Sequence, residues 1–300
     1  MMANNICLFR IADFNVRLVF QGSGPNSMRL LPSLAPFVLE SPKEQEDGLL
    51  FSLTVDDTLK TIDKSRRHRI RIFDTGNGDT VVDRLDNGGY QFIIRDIDGT
   101  DCALLITDKS FQQCSCALNG NYNRRSFGLN NALMLAFAFA GSARESLLVH
   151  ASLVRHKGKG YAFIAKSGTG KSTQVSSWLR YIPDCDLMND DNPIVRIVDG
   201  KAFIYGSPWS GKTPCYRNVK APLGALTRID RAKVNSIERL SPVEAFVSVL
   251  PSCSSMKWDI DIYNKICNTV TRIIENVPVY TLHCLPDKEA ALLCKNTIAQ

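Results

Sequence analysis

The sequence predicts a mixed α/β chain in two domains, on three observations. Through the first 125 residues, short stretches of β-branched and alternating residues are punctuated by turn signals. Near residue 130 the apolar period changes to a helical one. At 165–172 a glycine-rich loop stands between an apolar strand and an amphipathic helix. The boundary is expected near residue 141, giving a β-rich domain over 1–141 and an α/β domain over 142–300.

Composition sets the outer limits. The chain has 300 residues, of which 44% are hydrophobic and 22% charged. That usage is globular, and it excludes a disordered, collagen-like or coiled-coil protein. The longest apolar run, Ala132 to Ala140, is about half of what a bilayer crossing needs, so no membrane span is expected. The N-terminus lacks a basic segment followed by an apolar one and a small-residue cleavage site, so a cytoplasmic location is expected. Ten cysteines are scattered singly apart from Cys114 and Cys116, with no second pair to complete a zinc site; buried, reduced thiols are expected. Residues 1–150 hold 16 Lys and Arg against 17 Asp and Glu, whereas 151–300 hold 20 against 13. A basic second half suits an anionic ligand.

The elements follow in order. Turns are expected at Asp74–Asp79, Asn87–Gly89 and Asp96–Asp101, between strands such as His68–Phe73, Tyr90–Ile94 and Cys102–Ile106. The Asp96 cluster is a turn and not a calcium loop, because Thr107 stands where the bidentate Glu would be. In the run Arg66–Arg71, alternation assigns Arg69 and Arg71 to a solvated face and Ile70 and Ile72 to the other. No aromatic residues interleave it, which argues against nucleic acid. Asn130 or Asn131 is the expected cap of a buried helix over Ala132–Ala140. Leu147–Val154 reads as a strand, Lys157–Gly160 as a turn and Tyr161–Ala165 as a second strand.

The phosphate-loop pattern G-x-x-x-x-G-K-[ST] occurs twice. Gly206–Thr213 matches it literally, but Pro214 follows at once and forbids the long helix that the motif requires. Ala165–Ser172 matches with Ala in place of the first Gly, and it has both flanks: an apolar strand before, and Lys171–Arg180 after, with Val175, Trp178 and Leu179 at helical spacing. Backbone N–H groups and a helix N-terminus can converge on phosphate there. Ala is acceptable at position 165 if its φ stays negative. The expected nucleotide contacts are therefore Ser167, Gly168, Thr169, Gly170, Lys171, Ser172 and Thr173.

Phosphate chemistry asks for Mg²⁺ and for a carboxylate to hold it. Cys185–Asp191 reads as a strand running into Asp190 and Asp191, whose side chains point to opposite faces. One can reach the metal, with Ser172 and Asp190 as the candidate ligands, while the other serves as base for an attacking hydroxyl. His150 ends the strand upstream of the loop and is either structural or catalytic.

At this point the sequence resembles a known family. Leu148-Val-His150-Ala-Ser152, the strand into Lys166–Ser172, and Met188-Asn-Asp190-Asp191 are similar to the catalytic domain of bacterial HPr kinase/phosphorylase. Tyr205–Lys212, Ala221–Leu226 and Ser241–Ala245 look like the HPr-kinase-related proteins. The resemblance implies a P-loop core shared with ATP-dependent phosphoenolpyruvate carboxykinases. It also implies an ATP- and Mg²⁺-dependent kinase with Asp191, Asp190, His150 and Lys171 as catalytic residues. Two features depart from the family: Thr173 stands where the phosphorylases have Glu, and the first half does not match their regulatory domain.

Lys212 and Arg217, in the Pro-rich loop after the strand Ala202–Tyr205, are candidate contacts to phosphate or acceptor. Trp209 is either a lid residue or packing. Ser241-Pro242-Val-Glu244 is a capping box, and Ile262, Ile266, Val270, Ile273 and Ile274 mark an apolar helix face. Val277–Leu282 reads as a strand and Asp287 as the cap of a last helix. The expected function is phosphorylation of a hydroxyl on a small protein, peptide or metabolite, with the first domain selecting the acceptor. A nucleotide-binding regulator or peptide-recognition module without catalysis is the alternative, and a carboxykinase ranks below it. The sequence is compatible with a homo-oligomer.

Overall fold

A computed structural model describes residues 5–22, 24–39, 48–74, 78–211 and 213–300. The centre of the turn expected at Asp74–Asp79, and Lys212, lie outside the described residues. The chain divides into two compact units, Met1–Gly141 and Ser142–Gln300. Both are mixed α/β, each built on a sheet of its own.

In the first unit eight strands form one sheet. They are β1 (Asn5–Ile11), β2 (Phe14–Phe20), β3 (Phe51–Val55), β4 (Arg67–Asp74), β5 (Asp79–Leu85), β6 (Tyr90–Arg95), β7 (Asp101–Thr107) and β8 (Gln113–Leu118), in the order β1-β2-β3-β8-β7-β6-β5-β4. β3 runs parallel to β2 and β8, and the other pairs are antiparallel. Helix α1 (Tyr122–Ser142) packs into this core, Phe137 on Phe14 at 6.2 Å and Phe139 on Phe111 at 5.3 Å between ring centres.

Two expectations are corrected here. The helix expected from Ala132 begins at Tyr122, capped by Asn121, whose side-chain oxygen accepts from the Arg124 N–H at 3.1 Å. Its polar first turns are held by ion pairs of Arg124 with Asp96 and of Arg125 with Asp57, each at 2.7 Å. In β4 the register shifts between Arg69 and Arg71, so the alternation breaks and Ile72 is 51% exposed instead of facing the core.

The second unit contains β9 (Ser146–Leu148), β10 (Ala151–His156), β11 (Lys159–Ile164), α2 (Lys171–Tyr181), β12 (Cys185–Asp191), β13 (Ile194–Val198), β14 (Lys201–Tyr205), β15 (Lys220–Arg231), β16 (Ser236–Arg239), α3 (Pro242–Val249), α4 (Ile260–Asn276), β17 (Val279–Cys284) and α5 (Lys288–Ile298). The strand order is β12-β10-β11-β15-β14-β13-β9, with β17 beside β15 and β16 beside β17. The long strand β15 joins the two halves. Its first residues pair with β14, and the rest lies parallel to both β11 and β17.

The single strand expected over Leu147–Val154 is therefore two, β9 and β10, interrupted at Val149 and His150. α3 carries the full capping box of Ser241 and Glu244, and Asp287 caps α5 by accepting from the Ala290 N–H at 2.8 Å. Among the described residues all ten cysteines are free thiols, and no helix is long and apolar enough to cross a membrane.

Candidate functional site

The site is built around the turn from β11 into α2. β11 is buried from Gly160 to Ile164, and α2 is pinned over the sheet by Trp178, fully buried against Tyr161 at 5.4 Å and Phe163 at 5.5 Å. Leu179, expected on the apolar face, is 39% exposed; Ile182 takes its place in the core. Between them Gly168 has φ +77° and Gly170, the N-cap of α2, has φ +134°, conformations that side chains with a Cβ avoid. A Cβ on Gly168 would meet nothing within 4 Å, so it is the backbone path that asks for glycine there. Ala165 keeps a negative φ.

Arg231, at the end of β15, donates to the carbonyls of Gly168 and Thr169. Because a trans peptide puts its N–H opposite its C=O, holding these carbonyls on one side turns the next two amides to the other. The Thr169 N–H goes to the Lys166 carbonyl at 3.2 Å. The Gly170 N–H and the first amides of α2 stand at a helix N-terminus, where N–H groups have no intrahelical partner. Ser167 and Thr173 flank this turn and are exposed.

Lys171 extends from the first position of α2 and is 8% exposed. Its Nζ lies 2.8 Å from His150 Nε2 and donates to the Ala165 carbonyl at 3.2 Å. His150 Nδ1 lies 3.0 Å from Asp191 Oδ1. With an ammonium on Nε2, the imidazole accepts there and carries its proton on Nδ1, which donates to Asp191. Burial pushes the Lys171 amine down, and the charges of Asp191 and Asp190 work against that. Asp191 is fixed further by Asn192, whose Nδ2 donates to Oδ2 at 2.7 Å. Its φ is +150°, and a residue held in such backbone stores on the order of 1–3 kcal/mol of strain.

Asp190 faces the other way. Its Oδ1 accepts from Ser172 Oγ at 3.0 Å and from Ser152 Oγ at 2.6 Å, and Ser152 is directly opposite it in the β10–β12 pairing. Both Ser152 and Asp190 are buried. A hydroxyl and a carboxylate oxygen 3.0 Å apart match the separation of neighbouring ligands around an octahedral Mg²⁺, about 2.9 Å for bonds of about 2.05 Å. Among the described residues no group of three or more His, Cys, Asp or Glu side chains could hold a metal by itself. Mg²⁺ in phosphate sites characteristically has only one or two protein carboxylates, its other ligands being water and phosphate.

The structure thus brings together Lys171, His150 and Asp191 in one chain of contacts, and Ser172 and Asp190 in another. The literal motif at 206–213 has a different place. No helix follows it, and the chain runs on to β15. Instead it lies along the end of β12: Ser210 bridges Asp191, and the Gly211 N–H donates to the Asp190 carbonyl at 2.5 Å. A Cβ on Gly211 would come within 2.9 Å of that carbonyl and 3.1 Å of Asp191 Cβ.

Two expected acceptor contacts are corrected. Trp209 is 3% exposed, with its carbonyl bonded by Asn189, so it packs and cannot act as an open lid. Arg217 is committed to Asp186 at 2.6 Å and to the Leu187 carbonyl. Asp186 and Leu187 stand four and three residues before Asp190 along β12, roughly 13 and 10 Å. Sequence reasoning missed Ser152 and Arg231. A lone serine inside the apolar stretch Leu147–Val154 was the signal for the first; nothing local marked the second.

No protein-family profile and no curated protein matches the chain.

Proposed function

We propose that the chain is a kinase that transfers the γ-phosphoryl group of Mg-ATP to a hydroxyl of a small protein, peptide or metabolite. The observation that carries this reading is the pair of contact chains at the start of α2, Lys171–His150–Asp191 and Ser172–Asp190. The resemblance of residues 148–152, 166–172 and 188–191 to HPr kinase/phosphorylase, with its carboxykinase-like P-loop core, supports it from the sequence side.

The chemistry divides among these residues. The Gly168 amide, the amides from Gly170 to Thr173 and the positive end of α2 bind the phosphate chain. Lys171 exchanges His150 and the Ala165 carbonyl for phosphoryl oxygens, and its charge opposes the negative charge that builds there. Asp191, oriented by His150 and Asn192, accepts the proton of the acceptor hydroxyl. Ser152 holds Asp190 beside Ser172, so that the two oxygens are ready for a cation. Bound Mg²⁺ would neutralise charge between the phosphates. With Thr173 in place of the phosphorylases' Glu, the forward transfer is the activity proposed, and the first unit is assigned to acceptor selection.

The test is transfer of label from γ-labelled ATP into an extract of the protein's own cells. Asp191→Asn is expected to lower the rate by about 10²–10⁴-fold, the range for a general base, and Lys171→Ala to abolish it. Unchanged transfer in both would remove these residues from the mechanism. ATP binding without any transfer would favour the regulator.

A further inference from the structure

The segment 206–211, which holds both glycines of the literal phosphate-loop pattern, lies along β12, the end strand of its sheet. Those glycines serve close approach of two backbones and not phosphate. A Cβ on Gly206 would meet the Arg217 carbonyl and come within 3.0 Å of the Met188 carbonyl. Gly211 is barred from a Cβ in the same way by the Asp190 carbonyl. Ser210 Oγ donates to that carbonyl as well, at 3.2 Å.

Between the two glycines the segment is fastened by Asn189. In the β10–β12 pairing Leu153 is opposite Asn189 and Val154 opposite Leu187, so Met188 is the extra residue of a bulge. Asn189, just after it, is fully buried, and both ends of its amide are bonded. Its Nδ2 donates to the Trp209 carbonyl at 3.0 Å and to Ser207 Oγ at 3.2 Å, and its Oδ1 accepts the Asn192 N–H at 2.9 Å. A peptide N–H only donates, so the atom facing Asn192 is the oxygen and the amide has one orientation. Ser207 Oγ in turn donates to the Asn192 carbonyl at 2.6 Å. A buried polar network satisfied in this way holds a single arrangement.

We propose that Asn189 is a positioning residue for the phosphoryl transfer, fixing Asp191 toward His150 through Asn192 and the 206–211 strap; the assignment rests on the role of base proposed for Asp191. Two observations carry it. The bond from the Asn192 N–H back to Asn189 Oδ1 closes a ring around Asp190 and Asp191, and the Asn192 side chain grips Asp191 Oδ2 at 2.7 Å. Within that ring Asp191 is kept at φ +150°, a conformation that persists only where its surroundings over-determine it. Being fully buried, Asn189 acts through Asp191 and not on the substrate.

The experiment is a double-mutant cycle on the full chain with Asn189→Ala, Asp191→Asn and the pair. It reads the initial rate of label transfer from γ-labelled ATP into the cell extract over a range of ATP concentrations. Asn189→Ala alone is expected to lower the rate at saturating ATP by about 10–100-fold, as for a reacting group displaced by up to about 1 Å. The half-saturating ATP concentration should not change. In the Asp191→Asn background the same substitution should have no further effect, because a residue that acts through Asp191 has nothing left to position. A merely structural role would lower both rates by the same factor. That result, or a full rate for Asn189→Ala, would overturn the proposal. Binding of Mg-ATP and of inorganic tripolyphosphate, followed by isothermal titration calorimetry, certifies a folded phosphate loop in each variant. Should Asn189→Ala not fold, Asn192→Ala at its half-buried position carries the same cycle on the last link to Asp191, and the same outcomes decide. No transfer by wild type would instead remove the kinase reading, and the positioning role with it.

Discussion

Ser152→Ala tests the Asp190 arm of the site through stability. The serine hydroxyl donates to a buried carboxylate at 2.6 Å, and the carboxylate keeps Ser172 as its other side-chain donor at 3.0 Å. Removing a hydrogen bond to a charged group costs about 1.5–3 kcal/mol. In a unit of this size each kcal/mol moves the melting temperature by about 2–4 °C, so the variant should melt about 3–12 °C lower. Thermal denaturation followed by circular dichroism at pH 7 reads this directly. Ser152→Thr, which keeps the hydroxyl, is expected to lie between the two. A loss of under about 1 °C for Ser152→Ala would show that Asp190 does not depend on its strand neighbour, and the reasoning from the β10–β12 register would fail.

Three other outcomes follow from the same geometry. Trp178→Ala removes the side chain that seats α2, and a cost of about 3–5 kcal/mol is expected in chemical denaturation; a cost below about 1 kcal/mol would contradict the packing. Gly170→Ala forces a Cβ onto φ +134°, so it should destabilise by about 1 kcal/mol or more and weaken tripolyphosphate binding, read by calorimetry. Burial pulls the Asp186 carboxyl up, but Arg155 and Arg217 outweigh it and hold it below the usual range. A carboxyl lowered on folding stabilises above its unfolded value of about 3.9 and loses that contribution as pH falls through its folded value. Asp186→Asn should therefore melt lower than wild type at pH 7, with the gap closing below about pH 4. A gap constant across the acid range would refute the ion-pair account.

The parts of this structure legible in the sequence are those whose cause is local. Gly-Thr-Gly-Lys-Ser between an apolar strand and Val175–Trp178 defines the turn into α2, because glycine φ and helical spacing act within a few residues. Alternation along β12 likewise implied that Asp190 and Asp191 face apart, and they contact different partners. What was not legible depends on partners distant in sequence. The first turns of α1 are polar and give no apolar period; ion pairs to Asp96 and Asp57 hold them. The bulge at Arg69–Arg71 belongs to the pairing with β5 and not to the strand's own residues. Ser152 meets Asp190 only through strand register, and Arg231 reaches the loop from 62 positions away. Arg217 looked free because Asp186, its partner, lies 31 positions before it.

The most direct measurement is of the backbone amides themselves. In ¹⁵N-labelled protein titrated with Mg-ATP, the resonances of Gly168, Gly170, Lys171 and Ser172 should move together and saturate with the calorimetric affinity. If those four stayed fixed while ATP bound, the nucleotide would sit elsewhere, and the assignment of Lys171, Asp190 and Asp191 to phosphoryl transfer would be contradicted.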